Sequence, residues 1–193
     1  MKTWPDFHFL RHGQTDWNRE GRFQGLADTA LNATGLEQAH AAADVLARRR
    51  IDRIVTSPLI RALKTAAIVS ERIAVPLDID SQLSERGFGH LEGQVVNDVK
   101  RKIGILPDVP MAAHLPADAE QWPDTLTRTE AAIDAWLARH PGERVLFVAH
   151  HGLFAALTEI LIGTRQEGGN GIPYTFQRQG GAWSVTEADL NTL

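Results

Sequence analysis

The chain changes from apolar to polar within one stretch, Phe7-His8-Phe9-Leu10-Arg11-His12-Gly13-Gln14-Thr15. Apolar residues at Phe7, Phe9 and Leu10 predict a short buried strand, and the polar residues after them predict the loop at its carboxyl end. Gly13 removes a side chain where the backbone must turn or approach a ligand closely. An arginine beside a histidine at such a point is typical of an anion site that contains a nucleophile or a base. A loop that is merely polar is the alternative that these residues alone leave open.

Composition limits the classes of protein to consider. The chain has 193 residues, of which 43% are hydrophobic and 23% are charged, and this predicts a single domain over residues 1–193. A formal net charge of -4 gives no general attraction for nucleic acid or an anionic membrane, so an anionic substrate needs a local basic pocket. Cysteine is absent, which excludes disulfides and thiolate metal sites. The first residues lack the apolar run of a signal peptide and no later run predicts a membrane span, so we expect a cytoplasmic protein.

Strand signals recur after the opening stretch. We predict strands at about 52–56, 76–79 and 144–149, the last of them apolar throughout, as is typical of a strand buried on both faces of a parallel sheet. Two strand-like runs, at 174–178 and 182–187, predict a hairpin at the sheet edge because glycines lie between them.

Helix starts are predicted from cap signals. Thr34 and Glu37 have the spacing of a capping box, Ser57 before Pro58 suggests an N-cap, and Asp124 suggests another. From about residue 93 to 123, before Asp124, the hydrophobic periodicity fades and prolines accumulate. We therefore expect an inserted, cap-like segment over the site. The prolines of that segment are Pro107, Pro110, Pro116 and Pro123.

Alternating strands and helices predict an α/β sandwich with a mainly parallel sheet, in which ligands bind outside the carboxyl ends of the strands. Arg11 and His12, Arg61 and His150 all follow predicted strands at those ends. Two arginines suit a phosphoryl group because their forks match its oxygens, and a neutral imidazole can attack phosphorus. We expect the arginines to lower the pKa of the attacking histidine. Glu85, in a glycine-rich loop, is the candidate for the acid that protonates the leaving oxygen and then activates water.

Four separated motifs resemble the histidine phosphatase superfamily, which has the phosphoglycerate mutase-like fold, and they do so in the family's order. The first is Leu10-Arg11-His12-Gly13-Gln14-Thr15 with Asn18, and the second is Ser57-Pro58-Leu59-Ile60-Arg61-Ala62 followed by Thr65-Ala66. The third is Leu83-Ser84-Glu85-Arg86-Gly87-Phe88-Gly89 with Leu91-Glu92-Gly93, and the last is Val148-Ala149-His150-His151-Gly152. The resemblance runs from about Phe7 to Ile162 and diverges mainly in the inserted segment.

The resemblance implies a three-layer α/β/α sandwich and a phosphomonoesterase of the phosphatase branch. It makes His12 the phosphate acceptor, Arg11, Arg61 and His150 the groups that clamp the phosphoryl group, and Glu85 the acid and then the base. It requires no metal and no cofactor, and it implies a small phosphorylated substrate. Residues expected to contact that substrate are Asn18, Gly13, Thr15, Gln24 and His151.

Two departures from the family pattern stand out. The family usually has a glycine directly after its second histidine, and here that position is His151, whose ring could crowd the pocket mouth, add a donor or point away. The segment that usually precedes the last long helix is not recognisable around Pro116-Ala117-Asp118-Ala119-Glu120. Contacts usually made by that segment therefore cannot be transferred to this chain.

Weaker signals have plainer explanations. His8, His40, His90, His114 and His140 are expected to be structural or solvated, and His150-His151 lacks the spacing of a metal pair. Lys100-Arg101-Lys102 could contact a second phosphate, although a solvated charged face is the simpler interpretation.

Other functions stay open at this point. A phosphoglycerate mutase is one, although the chain is short for one, and a phosphate-binding or scaffold protein on the same fold is another. The motifs do not choose among a sugar phosphate, a nucleotide, a cobalamin precursor and a phosphoprotein as substrate. The oligomeric state is also open, a homodimer being one alternative.

Overall fold

A computed structural model of the protein describes residues 2–106, 108–109, 111 and 114–189. Its strands are β1 (Phe7–Arg11), β2 (Arg53–Thr56), β3 (Leu77–Ile79), β4 (Val145–Ala149), β5 (Pro173–Gln179) and β6 (Ala182–Glu187). Its α-helices are α1 (Asp16–Arg19), α2 (Ala33–Leu46), α3 (Ile60–Ile73), α4 (Val96–Lys102), α5 (Trp122–Arg139) and α6 (His151–Ile162). Single 3₁₀ turns occur at Ser81–Leu83 and Gly89–Leu91. No helix in these ranges is long and apolar enough to cross a membrane.

One six-stranded sheet organises the fold, in the order β3-β2-β4-β1-β5-β6. β3, β2, β4 and β1 are parallel, and β5 and β6 form an antiparallel hairpin at the edge, as predicted. β1 and β4 are central neighbours, with Arg11 paired to Ala149 at their carboxyl ends. The residues that follow these two strands are therefore brought side by side.

Helices cover both faces of the sheet, which confirms the three-layer α/β/α sandwich. On one face, α2 and α3 bury small and apolar residues such as Ala39, Leu46 and Val69 against Leu10 and Ile54. On the other face, α5 and α6 pack on the sheet through a second apolar cluster, with members Phe7, Phe9, Phe147, Ile133, Trp136, Leu153 and Phe154. Burial of these apolar side chains away from water is the main contribution to the stability of such a fold.

The starts of three helices differ from the sequence-based expectation. α2 has Asn32 as its N-cap, whose side chain accepts a hydrogen bond from the Gly35 N–H at 2.9 Å, so the predicted Thr34–Glu37 capping box is wrong. A capping box does form at α1, between Thr15 and Asn18. Gly35 lies so close to Gln14 that a Cβ on it would be 2.0 Å from the Gln14 carbonyl oxygen, and this contact fixes where α2 begins.

Ser57 and Asp124 are not N-caps either. Ser57 still belongs to the sheet ladder, because its N–H donates to the Val148 carbonyl at 3.2 Å, and α3 begins after Leu59. α5 has Gln121 as its N-cap and includes Pro123 in its first turn, where a proline loses no helical hydrogen bond. Both errors are shifts of two or three residues.

The segment expected to be an insertion, residues 93–123, contains α4 and connecting loops. Val99 from α4 forms a third apolar cluster with Phe23 and Leu91, and Phe88, Val96, Met111 and Leu115 pack against it. Pro107 and Pro110, on which part of that expectation rested, lie outside the described residues.

Candidate active site

His12 and His150 lie together because β1 and β4 are paired. The His12 N–H donates to the Ala149 carbonyl at 3.0 Å, which extends the strand pairing by one residue. The two imidazole rings have centroids 5.2 Å apart and are tilted by 58°. Both side chains are buried. The structure thus brings together two histidines that the sequence placed at the carboxyl ends of two separate strands.

The tautomer of His12 follows from its hydrogen bond. Nδ1 lies 2.7 Å from the Gly13 carbonyl oxygen, and because a carbonyl only accepts, Nδ1 must carry the proton. Nε2 therefore has the lone pair that a nucleophile needs. Burial lowers the pKa of His12 well below its usual value, and Arg11 and Arg61 lower it further. The sequence predicted the effect of the arginines, but burial is the larger cause because it removes the charged form from water.

Arg61 and Arg11 are fixed by backbone carbonyls. Arg61 is fully buried, and its two terminal nitrogens donate to the carbonyl oxygens of Ala27 and Gly25, each at 2.8 Å. Arg11 donates through Nη1 to the Gly168 carbonyl at 2.6 Å. In both guanidinium groups Nε is buried and has no hydrogen-bond partner among the described residues. Buried donors are rarely left unpaired in proteins, so two such N–H groups indicate a binding site for an acceptor.

His150 contacts Ser57, which begins the second motif and for which the sequence suggested only a helix cap. Its Nε2 shares a hydrogen bond of 2.7 Å with Ser57 Oγ, and its Nδ1 is buried without a partner in the described chain. Burial lowers the pKa of His150 well below its usual value, and Arg61 adds to the effect. The signal that could have identified Ser57 is its place directly after β2, at the same sheet edge as His12 and His150.

Glu85 is held against the start of α6. Its Oε1 accepts hydrogen bonds from the backbone N–H groups of Arg86 at 2.9 Å and Gly152 at 3.0 Å. A Cβ on Gly152 would lie 2.5 Å from that oxygen, so the approach depends on glycine at this position. Glu85, Gly152 and His151 line a cavity of about 610 Å³. A buried carboxyl group that faces a cavity is suited to proton transfer with a bound molecule.

The loop that carries Glu85 is fixed by a network that the sequence analysis did not detect. Arg128 donates to Ser84 O at 2.9 Å and forms an ion pair with Glu120. Glu120 in turn accepts from the Gly87 N–H at 3.2 Å. Arg128 and Glu120 therefore hold the loop on both sides of Glu85. Arg128 and Glu120 lie far from Glu85 in the sequence, so no local sequence pattern predicts this arrangement.

His151 forms part of the cavity wall. Its Nε2 lies 3.4 Å from Glu167 Oε2, and its Nδ1 is buried without a partner in the described residues. His151 and Glu167 both line the cavity, and contact of His151 with substrate stays a prediction.

The other residues expected to contact the substrate form hydrogen bonds with neighbouring residues in the structure. Thr15 Oγ1 hydrogen-bonds the side-chain oxygens of Asn18 at 3.1 Å and Gln24 at 3.0 Å. The Gly13 N–H donates to Thr65 Oγ1 at 3.1 Å, and the space in front of Gly13 is filled by Gly35. These residues shape the loop after β1, and their contact with substrate stays a prediction.

Of the histidines that the structure describes, His151 lines the cavity, whereas His12, His150 and the other five lie outside its lining. His8 is buried and its Nδ1 pairs with Thr175 Oγ1 at 3.0 Å, and burial lowers the pKa of His8 to about 4. His90 pairs with Asp118, and His140 stacks on Trp136. In the ranges that the structure describes, no three His, Asp or Glu side chains are grouped as metal ligands would be.

Comparisons with known proteins agree with this geometry. The model of the histidine phosphatase superfamily (branch 1) matches residues 7–188. A glucosyl-3-phosphoglycerate phosphatase of Mycolicibacterium vanbaalenii is 37% identical over 166 residues, which cover 80% of this chain and 72% of the relative. A phosphoglycerate mutase-like protein of Arabidopsis thaliana is 30% identical over 78% of this chain and 68% of its own length.

Solved structures of a phosphatase and of a mutase also superpose on this chain. A mycobacterial glucosyl-3-phosphoglycerate phosphatase in complex with VO3 superposes with a TM-score of 0.80 and 29% identity, over 94% of this chain and 97% of that one. A phosphoglycerate mutase from Bacillus anthracis has a TM-score of 0.80 at 27% identity, over 97% of this chain and 95% of that one.

Proposed function

Because the chain belongs to the histidine phosphatase superfamily and is a phosphatase acting on phosphate monoesters, we propose that it hydrolyses its substrate through a phosphohistidine formed on His12. The reaction needs no metal ion and no cofactor. The substrate is a small phosphorylated molecule, as the name of the mycobacterial phosphatases suggests.

The observation that carries the proposal is the set of unpartnered buried nitrogens near the nucleophile. Nε of Arg11, Nε of Arg61 and Nδ1 of His150 have no partner among the described residues. The oxygens of a phosphoryl group can accept hydrogen bonds from the two arginine N–H groups, and also from His150 Nδ1 when His150 Nε2 accepts from the Ser57 hydroxyl. The two guanidinium charges stabilise negative charge in the transition state. A dianionic ligand thus satisfies groups that would otherwise be costly to bury.

The reaction proceeds in two displacements. His12 Nε2 attacks phosphorus, the ester P–O bond breaks, and Glu85 donates its proton to the leaving oxygen. Glu85, now a carboxylate, takes a proton from water, and that water attacks the phosphohistidine, so the N–P bond breaks and inorganic phosphate forms. Each step is an in-line substitution with a positioned acid or base, which lowers the barrier relative to attack by water alone.

The rest of the chain has supporting roles in this proposal. Residues 93–123 form a cap-like segment within a single domain over residues 1–193, and α4 of that segment supplies part of the cavity wall. We also propose a cytoplasmic location, no nucleic-acid or membrane partner, and a homodimer as one form to test by sedimentation.

Phosphate release in excess chelator tests the proposed function. We expect turnover of 4-nitrophenyl phosphate and of members of a phosphometabolite panel to be unchanged by EDTA, because the attacking group is an imidazole. Acid-quenched enzyme should contain phosphate bound to histidine, with a lifetime shorter than the turnover time. Loss of turnover in chelator contradicts the mechanism. A long-lived phosphoenzyme without phosphate release favours a mutase.

Glu85→Gln tests the acid. We expect kcat/KM for an alkyl phosphate to fall by about 10²-fold or more, and kcat/KM for 4-nitrophenyl phosphate to fall much less, because nitrophenolate leaves without a proton. Gln retains an oxygen that can accept from Arg86 and Gly152, so the loop stays in place. The control is Glu37→Gln, on an exposed position of α2. An equal loss for both substrates would contradict the role as proton donor.

A further inference from the structure

Ser57 is held beside His150 by the pairing of β2 with β4. Thr56 is paired with Val148 in the sheet, and the Ser57 N–H continues that pairing by donating to the Val148 carbonyl at 3.2 Å. His150 directly follows β4, so Ser57 and His150 leave the sheet at the same edge. Both residues are fully buried. A side chain fixed in this way can control the ring that it contacts.

The hydroxyl group of Ser57 has one proton to donate, and its contacts decide where that proton points. Two groups in the described part of the chain contact Ser57 Oγ, namely the Leu59 N–H at 3.2 Å and His150 Nε2 at 2.7 Å. The Leu59 N–H can only donate, so the Ser57 oxygen accepts from it. His150 Nε2 is therefore the contact at which the hydroxyl proton finds an acceptor.

The ring of His150 carries a single proton near neutral pH, because burial lowers its pKa well below the usual value. If that proton is on Nδ1, Nε2 accepts from Ser57, and Nδ1–H is the one buried group of the pair that lacks a partner among the described residues. If the proton is on Nε2, this nitrogen donates to Ser57 Oγ, and both Nδ1 and the hydroxyl proton lack a partner there. Unpaired buried polar groups cost free energy, so the contacts favour the proton on Nδ1.

This tautomer of His150 complements that of His12. In both rings Nδ1 carries the proton, but His12 donates it to the Gly13 carbonyl and presents the bare Nε2, whereas His150 has Nε2 engaged by Ser57 and presents Nδ1–H. The ring centroids are 5.2 Å apart. One ring thus offers a lone pair for attack on phosphorus, and the other offers a donor for an oxygen of the same phosphoryl group.

We propose that Ser57 is a positioning residue that holds His150 in the tautomer with the proton on Nδ1, so that this N–H donates to a phosphoryl oxygen in the transition state. The inference rests on the proposed function, because the acceptor is the phosphoryl group of the substrate. Without the Ser57 hydroxyl, Nε2 can carry the proton instead. Nδ1 would then turn a lone pair towards the negative phosphoryl oxygens and repel them. Ser57 acts through the ring of His150 and not on the substrate.

The tautomer can be measured in the ligand-free protein, without any turnover. We would label the histidine rings with a heavy nitrogen isotope and record the proton–nitrogen correlation spectrum, in which protonated and bare ring nitrogens have well separated shifts. The signals of His150 are identified by their loss in His150→Asn. We expect Nδ1 of His150 to be protonated and Nε2 to be bare. The reverse assignment would overturn the inference.

Ser57→Ala removes the hydroxyl and tests its effect on the reaction. We expect the Nε2-protonated tautomer of His150 to appear and kcat/KM to fall by about 10- to 100-fold. The loss should be equal for 4-nitrophenyl phosphate and for an alkyl phosphate, because His150 acts on the phosphoryl oxygens and not on the leaving oxygen. It should lie mainly in kcat, and inhibition by vanadate, which mimics the five-coordinate transition state, should weaken by a similar factor. Ser57→Thr, which keeps a hydroxyl, should retain the tautomer and most of the activity.

The matched control is Thr56→Val, which removes the neighbouring buried hydroxyl and keeps the shape of the side chain. Thr56 Oγ1 donates to the Val148 carbonyl at 3.1 Å instead of to His150, so both kcat/KM and the tautomer should be unchanged. If Ser57→Ala kept the Nδ1-protonated tautomer, or was as active as Thr56→Val, Ser57 would not position His150. Absence of phosphate release by the wild-type protein from every substrate is a different result. It contradicts the proposed function, while the spectrum still tests the tautomer.

Discussion

His12→Ala should lower kcat/KM for phosphate monoesters by more than about 10³-fold. The variant lacks the imidazole whose Nδ1 donates to the Gly13 carbonyl, which leaves Nε2 available for attack. The Nε2 of His150, the nitrogen that corresponds to the attacking one, is engaged with Ser57 Oγ. Phosphate release from 4-nitrophenyl phosphate, with acid-quench detection of the phosphoenzyme, measures the effect, and both signals should disappear together.

The control for this variant is His40→Ala, which removes an exposed imidazole from α2. It should retain full activity, and both variants should keep the circular dichroism spectrum of the unmodified chain. If His12→Ala kept a tenth of the activity or more, another group would have to be the nucleophile. The two arginines and His150 would then bind phosphate without a covalent step.

Gly13→Ala should lower the free energy of unfolding by about 3 kcal/mol, the upper part of the usual range for overpacking. A Cβ on Gly13 would lie 2.2 Å from the carbonyl oxygen of Gly35. Both partners of this contact are backbone, so no side chain can rotate away to relieve it. Relief requires the loop after β1 to separate from the start of α2. Urea unfolding followed by tryptophan fluorescence measures the loss as a lower midpoint.

Gly87→Ala is the matched control for that change. The nearest atom to a Cβ there is Leu26 Cδ1 at 3.6 Å, an ordinary contact with the end of a flexible side chain. We expect its free energy of unfolding to change by less than about 1 kcal/mol. If the two glycine variants were equally stable, the close approach of the two backbones at Gly13 and Gly35 would be wrong.

The central part of the site could be predicted from the sequence because strand ends are local signals. Apolar runs end at Arg11 and Ala149, and parallel strands bring their carboxyl ends to one edge. That reasoning located His12 and His150 without any knowledge of which strands pair. The family resemblance was needed for the roles of these residues and for the choice of Glu85.

Other features depend on tertiary contacts and so have no local signal. The burial of His12, which is the larger cause of its lowered pKa, comes from the packing of several elements around it. The support of the loop that carries Glu85 comes from the ion pair of Glu120 with Arg128, residues more than thirty positions further along the chain. The start of α2 was misjudged because Thr34 satisfies the cap pattern, whereas contact between Gly35 and Gln14 places the helix N-terminus at Asn32.

The two ends of the site are built from different parts of the molecule, and this separation has an evolutionary consequence. The phosphate end is formed by residues directly after the paired strands, such as His12 and His150, which the sheet ladder holds. Three apolar residues of the cavity lining, Val96, Met111 and Leu115, come instead from α4 and the loop after it, and they pack within the third apolar cluster. Substitutions or changes of length in that one contiguous region can therefore alter which leaving group is accepted while the chemistry of phosphoryl transfer is inherited unchanged.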